Sequence, residues 1–252
     1  MSETKLLKIF ELLESNTIMT VKELSEELDC SEMTIRRYLS TLEERNLVQR
    51  LHGSAFLKQD ARPTKFDEQM KINSREKFLI AHEASRLIKE NDIVCFDSGT
   101  TTHRMMRLLD DQLKFTAFTP SIPLLMDLGQ YTKVKVLTPE GVLNHNNLTI
   151  ELSKNTLKKN LNADISFISC RSLRLPFGTF EHTDQLIQTK RWLAQQGKKK
   201  ILLADSSKWQ KYSVLSCIPL VDIDIIITDS GVEKDHVKLA EQLGKKVIVV
   251  SD

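Results

Sequence analysis

Apolar residues recur at spacings of three and four over the first fifty positions, then gather into short continuous runs from about residue 92 onward. At the front, Leu6, Leu7, Phe10 and Leu13, then Val21, Leu24 and Leu28, then Ile35, Leu39 and Leu42 mark three helical stripes. The later β-rich runs are Ile93–Asp97, Phe115–Thr119, Lys133–Thr138, Asp164–Ser169, Lys200–Asp205, Asp222–Asp229 and Lys245–Ser251. Helical stretches near 74–90, 101–111, 121–129, 150–161, 183–197 and 233–244 alternate with them. Such alternation predicts βα units and a mostly parallel sheet covered on both faces. The pattern divides the chain into residues 1–57, a polar linker at 58–73 that contains Pro63, and an α/β domain at 74–252.

The front unit has a specific layout. Thr20 and Glu23 have capping-box spacing and start a short helix, Val21 to Leu28. Asp29-Cys30-Ser31 is a tight connection, and Ser31 is a good N-cap for a second helix from Glu32 to about Arg45. Two helices joined this way predict a helix-turn-helix, whose second helix enters the DNA major groove. Two apolar alternations around His52-Gly53-Ser54 predict a hairpin, which makes the unit winged. The candidate DNA contacts are therefore Thr20, Ser31, Met33, Thr34, Arg36, Arg37, Arg50, His52 and Gly53. Hydroxyls and N-terminal N–H groups suit phosphate, and arginine can bridge guanine O6 and N7. Residues 1–60 hold eight basic against eleven acidic side chains, so DNA binding requires segregated charge. The basic group of Arg36, Arg37, Arg50, His52 and Lys58 lies on the second helix and wing, while most acids lie elsewhere. The competing reading is a helical bundle with an ordinary solvated face.

Composition narrows the classes. With 252 residues, 40% hydrophobic and 28% charged, the chain is neither disordered nor low-complexity, and a net charge of +2 excludes a polybasic coat protein. Cys30, Cys95, Cys170 and Cys217 stand at least 47 residues apart, without the paired short spacings of a zinc site. Neither a metal nor a cofactor is indicated. No apolar run approaches the ~18 residues of a membrane helix, and the first residues interleave charge with apolar groups, unlike a signal peptide. A reduced, cytoplasmic chain is expected.

Ser31-Glu32-Met33-Thr34-Ile35-Arg36-Arg37, followed by Leu39, Leu42-Glu43 and His52-Gly53, resembles the DNA-binding unit of the DeoR family of bacterial transcription regulators. Glu76-Lys77, Ile80-Ala81 and Asp97-Ser98-Gly99-Thr100-Thr101-Thr102 are similar to the opening of that family's sensor domain. Leu203 to Trp209 and Ile226 to Asp229 are similar to its close. The resemblance implies a winged helix-turn-helix domain followed by a doubly wound, mostly parallel α/β sensor domain. It also implies a sugar-phosphate-isomerase-like fold, a phosphorylated sugar as effector, an operator in double-stranded DNA and a homodimer or homotetramer. The chain departs from the family at Tyr38 (usually Asp), Ser54, Pro120 (usually Asn) and Pro139-Glu140.

The chemistry of the strand-end loops agrees. A strand ending in Asp97-Ser98-Gly99-Thr100-Thr101 and opening a helix offers unpaired N–H groups and hydroxyls, and Lys208 after another strand can supply counter-charge. These six residues are the candidate phosphate site. Glu140, Arg171 and Glu181 are candidate specificity residues: the Pro120 and Glu140 segments end strands and should border the pocket. Arg171 and Glu181, with Arg174 and His182, lie about a loop at 169–183. Three functional readings follow: a repressor of a sugar-utilisation operon relieved by a phosphorylated sugar, a constitutive DNA-binding regulator with a degenerate sensor, and a sugar-phosphate isomerase. Catalytic residues are not indicated, because the isomerases' paired aspartates fall at Ser169-Cys170-Arg171-Ser172, where no carboxylate stands.

Overall fold

The computed structural model describes residues 3–16, 18–45, 47–51, 53–58, 66–211 and 213–251. The front unit contains α1 (Glu3–Asn16), β1 (Ile18–Thr20), α2 (Val21–Glu27), α3 (Glu32–Glu44), β2 (Val48–Leu51) and β3 (Ser54–Leu57). The predicted capping box forms: the Thr20 hydroxyl accepts from Glu23 N at 3.1 Å, and Thr20 N donates to the Glu23 carboxylate at 2.7 Å. Ser31 caps α3 by accepting from Thr34 N. Ile35, Leu39 and Leu42 are fully buried, as the stripe requires. Tyr38 joins them in the core, so the position that is acidic in the family packs an aromatic ring here. The hairpin β2–β3 pairs Val48 with Leu57 and Leu51 with Ser54, and β1 adds a third strand. Gly53 turns it at φ +81°, in the left-handed region that glycine tolerates.

The following region is built on a seven-stranded sheet of order β15-β14-β12-β9-β4-β5-β6. Its strands are β4 (Ile93–Phe96), β5 (Thr116–Phe118), β6 (Lys135–Leu137), β9 (Ala163–Ser169), β12 (Gly197–Leu203), β14 (Ile225–Asp229) and β15 (Lys246–Val250), all paired in parallel. Each lies in or overlaps a run that the apolar pattern marks. The helices α5 (Ser74–Ser85), α6 (Thr100–Met105) and α7 (Ile122–Leu128) bury one face, where Ile80, Ala81, Met105 and Leu124 meet Val94, Phe96 and Phe167. Helices α9 (Asp184–Gln196) and α10 (Lys234–Gln242) cover the other, where Trp192, Leu193 and Ala240 join Cys95 and Ile168. The winding reverses between β4 and β9. In such sheets the loops beyond the strand ends part at the reversal and leave a crevice.

Four segments differ from expectation. Residues 150–152, read as the start of a helix, belong to β8 (Thr149–Leu152), which pairs with β7 (Gly141–Asn144); only α8 (Lys154–Leu157) is helical there. The loop expected at 169–183 contains β10 (Ser172–Arg174) and β11 (Gly178–Glu181), which form a second sheet with β13 (Leu215–Pro219). Helix α4 (Phe66–Lys71) occupies the rear of the predicted linker, whose residues 59–65, Pro63 included, lie outside the described residues. A third strand, β1, precedes α2. Among the described residues, no helix is long and apolar enough to cross a membrane.

Candidate functional site

On the front unit, the first turns of α3 are open. Met33 is 81% exposed, and Ser31, Thr34, Arg36 and Arg37 are exposed or half-exposed with it. Charge is less segregated than the sequence suggests. Arg50 donates from Nε to the Glu43 carboxylate at 2.6 Å, which holds that carboxyl below the ordinary glutamate value. Arg36 lies 3.3 Å from Glu32 one turn earlier. Among the described residues, no carboxylate stands within ion-pair distance of Arg37. Thr20 serves its own helix as cap, and the Gly53 carbonyl accepts from Val21 N at 2.8 Å, tying the hairpin to α2. His52 lies outside the described residues.

Beyond the carboxyl ends of β4, β9 and β12 lies a cavity of about 140 Å³. Ser98, Gly99, Thr100 and Thr101 line it from the β4–α6 loop, Ser169, Cys170 and Arg171 from the end of β9, and Asp205 and Lys208 from the end of β12. Lys77 enters from α5. It is almost wholly buried, its Nζ donates to Gln69 O at 2.6 Å, and burial with the nearby Lys208 charge lowers its pKa to about 8. The first turn of α6 adds backbone N–H groups without helical acceptors. Two ammonium groups, hydroxyls and N–H donors in one cleft can hold a dianion.

The carboxylates around this cleft are already engaged. Asp97, expected as a ligand contact, is fully buried. One of its oxygens takes Gly99 N at 2.9 Å and the Thr102 hydroxyl at 2.8 Å; the other takes Ser169 N at 2.7 Å and the Ser169 hydroxyl at 2.6 Å. Asp97 thus staples the two loops at the winding reversal instead of facing a ligand, and Thr102 turns inward with it. Lys190 on α9 lies 3.4 Å from Asp97 and also donates to Glu181. Burial works against its charge, but Glu181 and Asp97 outweigh that and raise its pKa above the ordinary lysine value. Glu181 lines the cleft, yet its carboxylate accepts from Lys190 and from Arg171 N. Asp205 accepts from Ser207 N and Asn73 Nδ2. Gly99 is required for close approach: a Cβ there would stand 2.0 Å from the Ser169 hydroxyl.

Glu140 corrects an expectation. It is exposed and absent from the cavity wall; its backbone bonds to Thr156 and Ser153. Pro120 is buried and accepts from Ile150 N at 2.8 Å. Both departing segments hold the β7–β8 hairpin, and the residue that reaches the cavity is Asn147 at its turn. His182 lines the cavity as well, with burial lowering its pKa against the pull of Glu181. Arg174 donates to Gln210 O and stays outside the lining.

Comparison with known proteins gives the context. The DeoR-like helix-turn-helix domain matches residues 6–60, and the DeoR C-terminal sensor domain matches residues 72–230. The chain belongs to the DeoR family of transcriptional regulators. It is 31% identical to the HTH-type transcriptional regulator GolR of Listeria innocua, covering 95% of each chain. It is 28% identical to the lactose phosphotransferase system repressor of Lactococcus lactis, covering 93% of each. Among solved structures, ribose 5-phosphate isomerase A of Methanocaldococcus jannaschii aligns over 54% of this chain and 55% of its own, at 17% identity and a TM-score of 0.41.

Within this DeoR-family chain, sequence reasoning missed Lys77 and Lys190 as parts of the cleft. A signal for Lys77 was present. Lys77, Ile80, Ala81 and Ala84 are one buried stripe at spacings of three and four, so a lysine stands where the helix demands an apolar residue. A charge at a core position needs a partner or a ligand. Among the described residues, no group of three or more His, Cys, Asp or Glu is arranged to hold a metal ion.

Proposed function

We propose that this chain is a sequence-specific DNA-binding repressor of a sugar-utilisation operon, released when a phosphorylated sugar or related metabolite occupies the cleft. One observation carries the reading: Lys77 and Lys208 converge with Ser98, Thr100 and Thr101 in a cavity at the winding reversal, behind a winged unit whose α3 opens to solvent. Met33, Thr34 and Arg37 are assigned to base edges, and Ser31 with the first N–H groups of α3 to phosphate. The protein acts in the cytoplasm, where its operator lies, as a homodimer or homotetramer that sets two recognition helices about 34 Å apart. Relatives named as repressors, including one of a lactose phosphotransferase system, support the regulatory sense.

The other two readings are weaker. Pro120 and Glu140 lie off the cavity wall, so the departures that favour a degenerate sensor leave the cleft whole. An isomerase needs a positioned base, and Asp97, Glu181 and Asp205 are each engaged in internal hydrogen bonds. A thermal-shift panel of phosphorylated pentoses and hexoses beside their unphosphorylated parents tests the reading. A phosphate ester at a hundred times its Kd should stabilise the protein by about 2.7 kcal/mol, its parent sugar should not, and Lys208→Ala should abolish the effect. Indifference to every ester would overturn the effector assignment.

A further inference from the structure

The segment after β12, residues 204–211 with 213–214, touches three regions at once. At its start, Asp205 and Lys208 line the cleft. Beside them, Asn73, which ends the turn after α4, donates from Nδ2 to Asp205 Oδ1 and to the Ser207 hydroxyl, both at 2.9 Å. At its far end, Val214 offers its carbonyl to Arg45 Nη1 at 2.7 Å. Arg45 is the C-cap of α3, the helix whose opposite end is assigned to DNA.

We propose that this segment reports occupancy of the cleft to the recognition helix, with the Arg45–Val214 hydrogen bond as its contact on the DNA-binding unit. The proposal rests on the reading of the cleft as an anion-binding effector site. Hydrogen bonds also join the segment to the end of β14 and to β10. Ser206 N donates to Asp229 Oδ1 at 2.6 Å, the Trp209 indole donates to Thr228 Oγ1 at 3.0 Å, and Arg174 holds Gln210 O. Trp209, Ser213 and Val214 are buried. An anion that draws Lys208 into the cleft pulls on these bonds and shifts the buried residues that follow. The carbonyl at Val214 moves with them against Arg45. Helix α3 has 13 residues, about 20 Å at 1.5 Å per residue, so a tilt of a few degrees imposed at its C-cap shifts its DNA end by an ångström or more.

The test uses the full chain, inorganic phosphate as the probe, and a duplex from the DNA upstream of its own coding sequence, with chloride replacing phosphate at constant ionic strength. Phosphate should raise the thermal midpoint of the wild type and change its DNA Kd about fivefold or more, and by linkage DNA should change phosphate affinity equally. In Arg45→Ala the thermal effect and the phosphate-free DNA Kd should persist while the change in Kd disappears. Hydrogen exchange on the unsubstituted chain gives an independent reading: phosphate should alter protection at residues 213–216 and 42–45 as well as at the cleft. A wild-type response in Arg45→Ala, or protection changes confined to the cleft, overturns the proposal. Stabilisation of the wild type without any change in DNA affinity overturns it too and spares the effector site. Absence of stabilisation overturns the effector reading and this inference together.

Discussion

Both units pair cations with carboxylates, but in opposite surroundings. On the front unit, Arg36–Glu32 is exposed and Arg50–Glu43 half-exposed, so water and salt screen both pairs. At the winding reversal, Asp97, Lys190 and Glu181 are buried together, and the two carboxylates hold the lysine in its charged form against its burial. On the proposed reading, these front charges are the ones exchanged for DNA phosphates. The interior charges are fixed and hold two strand-end loops in one geometry. A surface that must release its partners is built from weak pairs, and a pocket that must keep its shape is built from strong ones.

The comparison breaks most visibly at Lys190. Lys190→Met leaves two buried carboxylates without their cation and should lower stability by about 3–5 kcal/mol; Glu43→Gln should cost less than about 1 kcal/mol. Urea unfolding of both variants measures the contrast, and equal losses would contradict it. Glycines sharpen it next. Gly99→Ala forces a Cβ against Ser169 and should cost about 1–3 kcal/mol. Gly53→Ala meets open space and strains only the backbone at φ +81°, for about 1 kcal/mol. For DNA, Arg37→Ala should weaken the specific site by about 1–3 kcal/mol and random duplex much less; equal weakening in a filter-binding assay would mark Arg37 as a phosphate contact.

The smallest effect is one of pH. An anion in the cleft favours charged Lys77, whose pKa is lowered to about 8 by burial and Lys208. Above that pH, binding must first take up a proton, so affinity for a phosphate ester should fall with rising pH, by at most about tenfold per unit. The ester itself is already a dianion there, its second pKa being about 6. Lys77→Met should bind more weakly at pH 7 and lose the slope. A slope that persists in Lys77→Met would assign the titration elsewhere.

The elements legible in the sequence were those set by local pattern. The helix-turn-helix, its two caps and the seven parallel strands follow from periodicity and capping chemistry, because a strand buried on both faces is apolar along its length. The β7–β8 hairpin and the β10–β11–β13 sheet were hidden because strands of three to five residues leave little periodic trace; Thr149–Leu152 reads as well for a helix as for a strand. The cleft was legible in its loops, Ser98–Thr101 and Lys208, since residues that follow strand ends gather there. Which side chains turn inward was not: Asp97 looks like a ligand contact until Ser169 and Lys190 are seen to claim it. The Arg50–Glu43 pair was equally illegible, because the sequence does not show Glu43 packed across from the wing.

The central claim is that α3 and the wing bind duplex DNA by sequence. Fluorescence anisotropy with a labelled duplex from the chain's own upstream region, beside a scrambled duplex of equal length and composition, tests it most directly. The account predicts saturable binding at physiological salt, at least about a thousandfold tighter than to the scrambled duplex. Equal affinity for the two, or no binding to either even in dilute buffer, would contradict it.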